Sequence, residues 1–276
     1  MACPRRKERS VDRGLRLPHG GHERSARLIA VLDYGIGNLR SAEKALVHLG
    51  ADAHLVTDPE VAAAATGVVM PGVGAFGPCA DALRRTGMEE VALDAIARGV
   101  PFLGICVGFQ LLYEGSDEAP GVPGLGVLGG TVRSLPAGVK RPQMQWNRLH
   151  RREGTDSALL TGLQAELWVY FVHSFAPQIT EDVVATCDYG GEVVAAAERG
   201  CVWGTQFHPE KSGAAGLRVL GNFVTACTTG PSTGATIEGS QAARDVLGEE
   251  VGPVVASVGN SVGDDTLHAI HDTDRR

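Results

Sequence analysis

The run Pro101-Phe-Leu-Gly-Ile-Cys-Val-Gly-Phe-Gln110 carries an apolar stretch onto a cysteine with a glycine two residues away on either side. That pattern restricts the fold to one in which a buried strand turns sharply into an apolar helical stretch at Cys106, the form of a nucleophile elbow. Gly104 and Gly108 let strand and helix approach where a Cβ would collide with backbone. The first N–H groups of a helix have no partner inside it, so the same turn that presents a thiol can hold an oxyanion, with Val107 N–H the nearest donor.

About a hundred residues later comes Gln206-Phe-His-Pro-Glu-Lys-Ser212. A cysteine that attacks an amide needs a group to take its proton and return one to the leaving nitrogen, and imidazole does both near neutral pH. With a strand over 202–207, His208 and Glu210 leave its end on the same side, so the carboxylate can hold the ring. Pro209 between them suits a strand end at a sheet rim. Cys106, His208 and Glu210 are therefore the expected catalytic residues.

Around these residues the apolar periodicity alternates. Strands are expected over 28–33, 53–56, 67–70 and 100–105, with helices over 39–49, 59–65 and 79–98, a sequence of elements that predicts a largely parallel sheet covered on both faces. After Cys106 the pattern changes to hairpin-like strands over 126–135, 167–175, 183–189, 193–198 and 202–207, closed by a helix over 214–225. The fold class is α/β with a mixed, largely parallel central sheet flanked by helices, a flavodoxin-like three-layer arrangement.

That periodicity is confined to residues 27–228, which gives one domain and two tails. The first 27 residues hold eight Lys/Arg against three acids and lack an apolar stretch, which fits neither a secretory nor a transit peptide. A basic disordered arm is expected over 1–26. From 229 to 276 eight acids face three arginines in a Gly/Ser/Thr-rich stretch, expected to be a disordered acidic tail. The tails cancel, so the formal charge of −7 belongs to the domain, which has no electrostatic footprint for nucleic acid. Six cysteines with no Cys-x-x-Cys pair and no zinc spacing, and no run long enough to span a bilayer, suggest a reduced, cytoplasmic chain without metal or cofactor.

Other stretches carry weaker chemistry. Asp33-Tyr-Gly-Ile-Gly-Asn38 fails as a dinucleotide fingerprint because Arg40 stands where the third glycine belongs. Pro71-Gly-Val-Gly-Ala-Phe-Gly77 presents backbone, and Gly72 and Val73 are expected to join Val107 in an oxyanion hole. Gln110 lies four residues past Cys106 on the same helical face and is placed at the substrate's polar end. The strand ending at His173-Ser174 is read as lining the pocket, with Ser174 a substrate contact and His173 a core or rim histidine rather than a second base.

Assembled, these motifs resemble class I (triad-type) glutamine amidotransferases over residues 27–228. Asp-Tyr-Gly-Ile-Gly-Asn, Pro-Gly-Val-Gly-Ala-Phe-Gly and Met144-x-Trp146-Asn147 bring it closest to the branch that serves as glutaminase subunit of imidazole glycerol phosphate synthase in histidine biosynthesis. The resemblance implies hydrolysis of glutamine through a Cys106 thioester, with ammonia passed through a tunnel to a separate (β/α)8-barrel cyclase subunit. It implies that Asn38, Trp146 and Lys211 face that partner, and that the Gly72-Val73 segment is completed as an oxyanion hole only when the partner holds its ligand. Gln143 and Gln145 stand where the family's Pro-His-Met-Gly-Trp-Asn has His and Gly, and Phe109 replaces a common Met. A glutaminase serving a chorismate-using synthase, a cysteine hydrolase without a tunnel partner, and a non-catalytic regulator of the same fold are the alternatives.

Overall fold

The computed structural model describes residues 27–36, 39–164 and 166–229. The arm expected over 1–26, the acidic tail beyond Thr229, and Asn38 lie outside the described residues.

Strand β1 (Ile29–Leu32) is buried at every position, as a strand covered on both faces must be. It leads to helix α1 (Leu39–His48), which buries Leu39, Ala42 and Leu46 on one face. Strand β2 (Ala53–Val56), helix α2 (Pro59–Ala63) and strand β3 (Gly67–Gly72) follow. Asp58 caps α2 by accepting from Glu60 N at 2.9 Å, with Pro59 at the first helical position. The single helix expected over 79–98 is two helices, α3 (Phe76–Arg85) and α4 (Met88–Ala97). Gly87 between them sits at φ 72°, a left-handed conformation that ends the first helix. Strand β4 (Phe102–Cys106) and the single turn α5 (Val107–Gln110) form the elbow.

The second half is built from β5 (Gly115–Ser116), β6 (Thr131–Ser134), β7 (Gln143–Arg151), β8 (Leu167–His173), β9 (Phe175–Pro177), β10 (Val183–Asp188), β11 (Glu192–Arg199) and β12 (Val202–Thr205). A 3-10 turn over Pro209–Lys211 and helix α6 (Gly213–Thr229) complete it. The strand expected over 126–135 is cut to four residues because Gly126 and Gly130 take positive φ, 61° and 96°. The strand expected over 167–175 breaks at Ser174, and its end joins a different sheet. β7 escapes the periodicity because most of its side chains are polar or exposed and only Gln143 and Leu149 are buried.

The main sheet has the order β2-β1-β3-β4-β12-β11-β10-β7-β8. Its first five strands are mutually parallel and its last four antiparallel. A small sheet, β5-β6-β9, lies beside it. Helices α1 and α6 pack together, as do α2, α3 and α4, and the two groups flank the sheet. What this positions is plain from the register. β12 is hydrogen-bonded beside β4, with Thr205 opposite Ile105, so the chain after Thr205 emerges next to Cys106.

Candidate active site

Cys106 has φ 56° and ψ −110°, and among the described residues it is the only non-glycine with a positive φ. Backbone held in so sparsely populated a region costs about 1–3 kcal/mol and persists only where the surroundings enforce it. The enforcement is visible. A Cβ on Gly108 would stand 1.8 Å from the carbonyl oxygen of Met70, and one on Gly104 would stand 2.8 Å from Cα of Phe109. Gly72, opposite Cys106 in the β3–β4 register, is pressed the same way: its Cβ would meet Gly108 N at 2.7 Å and the Tyr34 hydroxyl at 2.8 Å. Tyr34 donates to Pro71 O at 2.5 Å and so ties the end of β3 to the loop after β1.

The helix after Cys106 is shorter than the apolar pattern suggests. α5 is one turn, so the elbow offers local N–H groups, those of Val107 and Gly108, rather than the field of a long helix.

His208 and Glu210 meet, but not as strand neighbours. β12 stops at Thr205, and the 3-10 turn beginning at Pro209 brings Glu210 under the ring. His208 Nδ1 donates to Glu210 Oε1 at 2.8 Å, with both side chains almost wholly buried. The turn is fixed by Ser212, whose hydroxyl donates to His208 O at 2.6 Å and accepts from Tyr170 N at 3.0 Å. His208 N also donates to Tyr170 O. Burial alone pushes the imidazole's pKa down, but its interactions with Cys106 and Glu210 outweigh burial and raise it to about 9. Its Nε2 has no hydrogen-bond partner, although Cys106 is close enough to dominate the upward shift. Ring and thiol line the same cavity.

The sulfur has further neighbours that the sequence did not announce. Gln206 Nε2 lies 3.7 Å from Cys106 Sγ, and the sulfur lies 3.9 Å from Val172 O. Gln110 is fully enclosed rather than on a helix surface. Its Nε2 donates to Gln206 Oε1 at 3.0 Å and to Phe175 O at 2.9 Å. His173 Nδ1 donates to the same carbonyl at 2.9 Å. A buried chain of polar groups therefore runs from the His173 ring through Gln110 and Gln206 to the thiol.

A cavity of about 250 Å³ opens on this cluster. Of the residues singled out in the sequence, Cys106, Val73, Val107, Gln110, Ser174 and His208 line it. Gly72 and Glu210 lie behind it, beside a far smaller hollow that shares Val73 and His208. His173, read in the sequence as a core or rim histidine, is also in the wall, and Glu118 is a further member. Glu118 Oε2 accepts from Phe76 N at 2.8 Å, which anchors the carboxylate at the start of α3. No spacing relates Glu118 to Cys106 or His208 in the sequence; the packing of the segment after β5 against the start of α3 brings it there. Val73 O, on the same wall, accepts from the Cys79 thiol at 3.5 Å. A larger, shallower hollow of about 380 Å³ around Glu114, Pro120 and Thr131 contains none of these groups.

Trp146 and Lys211 lie away from the cavity. Trp146 is 48% exposed on β7, edge-on to Tyr170 at 6.1 Å between ring centres. In the β7–β8 register it shares a face with Met144 and Trp168, both more than half exposed. Lys211 is exposed in the 3-10 turn. Gln143 is buried with its Nε2 toward Cys187 Sγ, and Gln145 is exposed; neither lines the cavity, and neither has the positive φ that a glycine would tolerate.

A cysteine at a strained elbow, with a carboxylate-held imidazole emerging from the adjacent parallel strand, defines a site for acyl transfer through a thioester. The chain belongs to the family described as glutamine amidotransferase class-I, which it matches over residues 30–227. Among curated proteins it is 50% identical over 198 residues to the imidazole glycerol phosphate synthase subunit HisH of Methanothermobacter thermautotrophicus, covering 71% of this chain and 98% of that one. The subunit of the same name from Salinibacter ruber is 46% identical, over 73% and 96%. Among solved structures, one titled as a glutamine amidotransferase superposes with a TM-score of 0.59 at 22% identity, covering 72% of this chain and 98% of that one, a likeness of fold. Among the described residues no helix is long and apolar enough to cross a membrane.

Proposed function

We propose that this chain is the glutaminase subunit of an imidazole glycerol phosphate synthase, releasing ammonia from glutamine for a cyclase partner in histidine biosynthesis. The observation that carries the chemistry is the placement of His208, held by Glu210 at 2.8 Å, at the end of the strand beside Cys106 and on the same cavity wall.

In this reading Cys106 Sγ gives its proton to His208 Nε2 and attacks the side-chain carbonyl carbon of glutamine. The oxyanion that forms is met by N–H groups at Val107 and along Gly72-Val73. Collapse breaks the C–N bond while His208 returns the proton to departing ammonia, leaving a thioester. Water, deprotonated by the same ring, then attacks the thioester, and glutamate leaves with the thiol restored. Glu210 keeps the imidazole in the tautomer whose Nε2 faces sulfur and offsets the charge of the imidazolium. Glu118 supplies the anionic patch of the wall for the substrate's α-ammonium, and Gln110 and Ser174 shape the pocket around its polar end.

The partner is a (β/α)8-barrel cyclase in the cytoplasm, docked against the face that carries Trp146, Met144 and Trp168; Lys211 and Asn38 are the other positions expected to meet it. The weak thiol donor on Val73 O suits a peptide that changes orientation when the partner is loaded, which would couple the two sites. Residues 27–228 form the amidotransferase domain, with a basic arm before it and an acidic tail after it. The test is the reconstituted synthase: Cys106→Ala abolishes synthesis from glutamine and leaves synthesis from added ammonia intact, whereas equal loss of both contradicts the division of labour.

A further inference from the structure

Gln206 directly follows β12 and is wholly buried beside the nucleophile. Which end of its amide faces the sulfur follows from its neighbours. Gln110 Nε2 lies 2.9 Å from Phe175 O, and a carbonyl only accepts, so that end of Gln110 is its nitrogen. The same nitrogen lies 3.0 Å from the Gln206 amide, so the Gln206 end that it meets is oxygen. The Gln206 nitrogen is therefore the end aimed at Cys106 Sγ, 3.7 Å away, and the sulfur is its one hydrogen-bond partner among the described residues. A thiol sulfur is a weak acceptor, and a buried N–H left with a weak acceptor is costly. A charged acceptor makes the same bond roughly twice as strong. The enclosed amide is thus poorly satisfied by the thiol and well satisfied by the thiolate.

Resting on the glutaminase reading, we infer that Gln206 is a further catalytic residue, whose Nε2–H holds the Cys106 sulfur in its charged form, and that Gln110 is the positioning residue that aims it. The reaction calls for that form twice. Sulfur is charged when, its proton passed to His208, it attacks the amide carbon, and again when the C–S bond of the thioester breaks and sulfur leaves with the electron pair. The gain lies in the fraction of sulfur charged at the start and in the ease of its departure at the end. Other groups around the sulfur do not replace this donor. Val172 O, at 3.9 Å, is an acceptor and offers an anion nothing. Burial raises the Tyr34 hydroxyl well above its ordinary range and the Cys79 thiol to about 11, so both of these neighbours of Cys106 stay neutral. Glu118 and His173 stand on the same cavity wall, where a carboxylate opposes a second negative charge and a neutral ring does not balance one. His208 carries the balancing positive charge, and Gln206 adds the hydrogen bond.

The pH profile of Cys106 alkylation separates a donor to charged sulfur from a residue that only fills space. The full complex is treated with iodoacetamide between about pH 5 and 10, the Cys106 adduct is followed by peptide mapping, and glutamate release is measured alongside. Gln206→Met keeps the length of the side chain and removes the donor. It should move the midpoint of the profile up by about one pH unit and lower kcat/KM for glutamine about tenfold to a hundredfold near pH 7, the size expected when a hydrogen bond to a charged group is lost. Gln206→Glu, which presents a carboxylate oxygen to the sulfur, should move the midpoint further. Gln110→Met leaves the Gln206 amide free to turn and should move the midpoint in the same direction by less; it decides the matter by that shift if Gln206→Met does not fold. An unchanged midpoint in the folded variant complex, whatever its turnover, would overturn the inference and leave the glutaminase reading standing. A wild-type complex that alkylates at Cys106 yet releases no glutamate from glutamine would overturn that reading itself.

Discussion

The centre of the sheet and its β7–β8 edge follow opposite rules. β3, β4 and β12 are buried at every position, and around them Gly72, Gly104 and Gly108 face backbone that a Cβ would strike, while Gly204 faces the ring of Phe109. β8 alternates buried with less buried residues, β7 buries only Gln143 and Leu149, and the pair leaves two tryptophans and a methionine in solvent. The first region holds a strained nucleophile still. The second contributes a wall of the cavity through Val172 and His173 and offers an apolar surface on its other side. On the proposed reading, chemistry sits where packing is tightest, and partner recognition where apolar surface is left uncovered.

The sharpest break in this contrast is Cys106→Ala, which should reduce glutamine hydrolysis about 10⁴-fold or more, as loss of a nucleophile does elsewhere. Residual hydrolysis within tenfold of wild type would move the chemistry away from the elbow. Next comes Gly108→Ala. The new Cβ collides with the Met70 carbonyl, so the substitution should cost about 3 kcal/mol by denaturant unfolding and abolish turnover. Gly154→Ala, in open space at φ 77°, should cost only about 1 kcal/mol and leave turnover intact. Similar penalties at both sites would dissolve the distinction between a packed centre and a permissive periphery.

The edge responds in the reverse sense. Trp146→Ala and Trp168→Ala should each change the chain's own stability by less than about 0.5 kcal/mol, yet weaken association with the cyclase about tenfold or more, as anchoring aromatics do. Titration calorimetry against the isolated partner reads this directly, and undiminished affinity would place the docking face elsewhere.

The remaining prediction concerns the pH dependence of stability. His173 stays neutral in the fold down to about pH 4, whereas the unfolded chain takes up that proton near its ordinary value of 6.5, so stability should fall as pH drops from 6.5 toward 4. His208 does the opposite. Its folded pKa is raised to about 9, so its contribution is full below 6.5 and is lost as pH rises through 9. Because Cys106 is among the causes of that rise, Cys106→Ala should flatten the alkaline arm and leave the acid arm unchanged. Urea midpoints between pH 4 and 10 check both arms.

The central region was legible because its physics is local: apolar runs, glycines at a bend and a short His-Pro-Glu motif each constrain their own neighbourhood. Even there the reason for the His208–Glu210 contact differs, a 3-10 turn in place of a strand end. Glu118 in the cavity wall and the approach of Gln206 to the thiol were not legible, since each depends on which segments become neighbours. β7 hid because a strand with one apolar face in solvent lacks the period that burial imposes. Gly87 split one expected helix in two, a backbone choice that apolar spacing does not encode.

The central claim is that one thiol of several is the nucleophile because of the elbow and the ring beside it. Cys79, Cys187, Cys201 and Cys227 provide the internal comparison, as burial raises the pKa of each. The direct measurement is reaction of the complex with a glutamine-analogue diazoketone, followed by intact-mass and peptide mapping, with and without excess glutamine. The account predicts a single adduct on Cys106 that glutamine suppresses and that His208→Ala slows strongly. An adduct on any other cysteine, or one on Cys106 indifferent to glutamine and to His208, would contradict it.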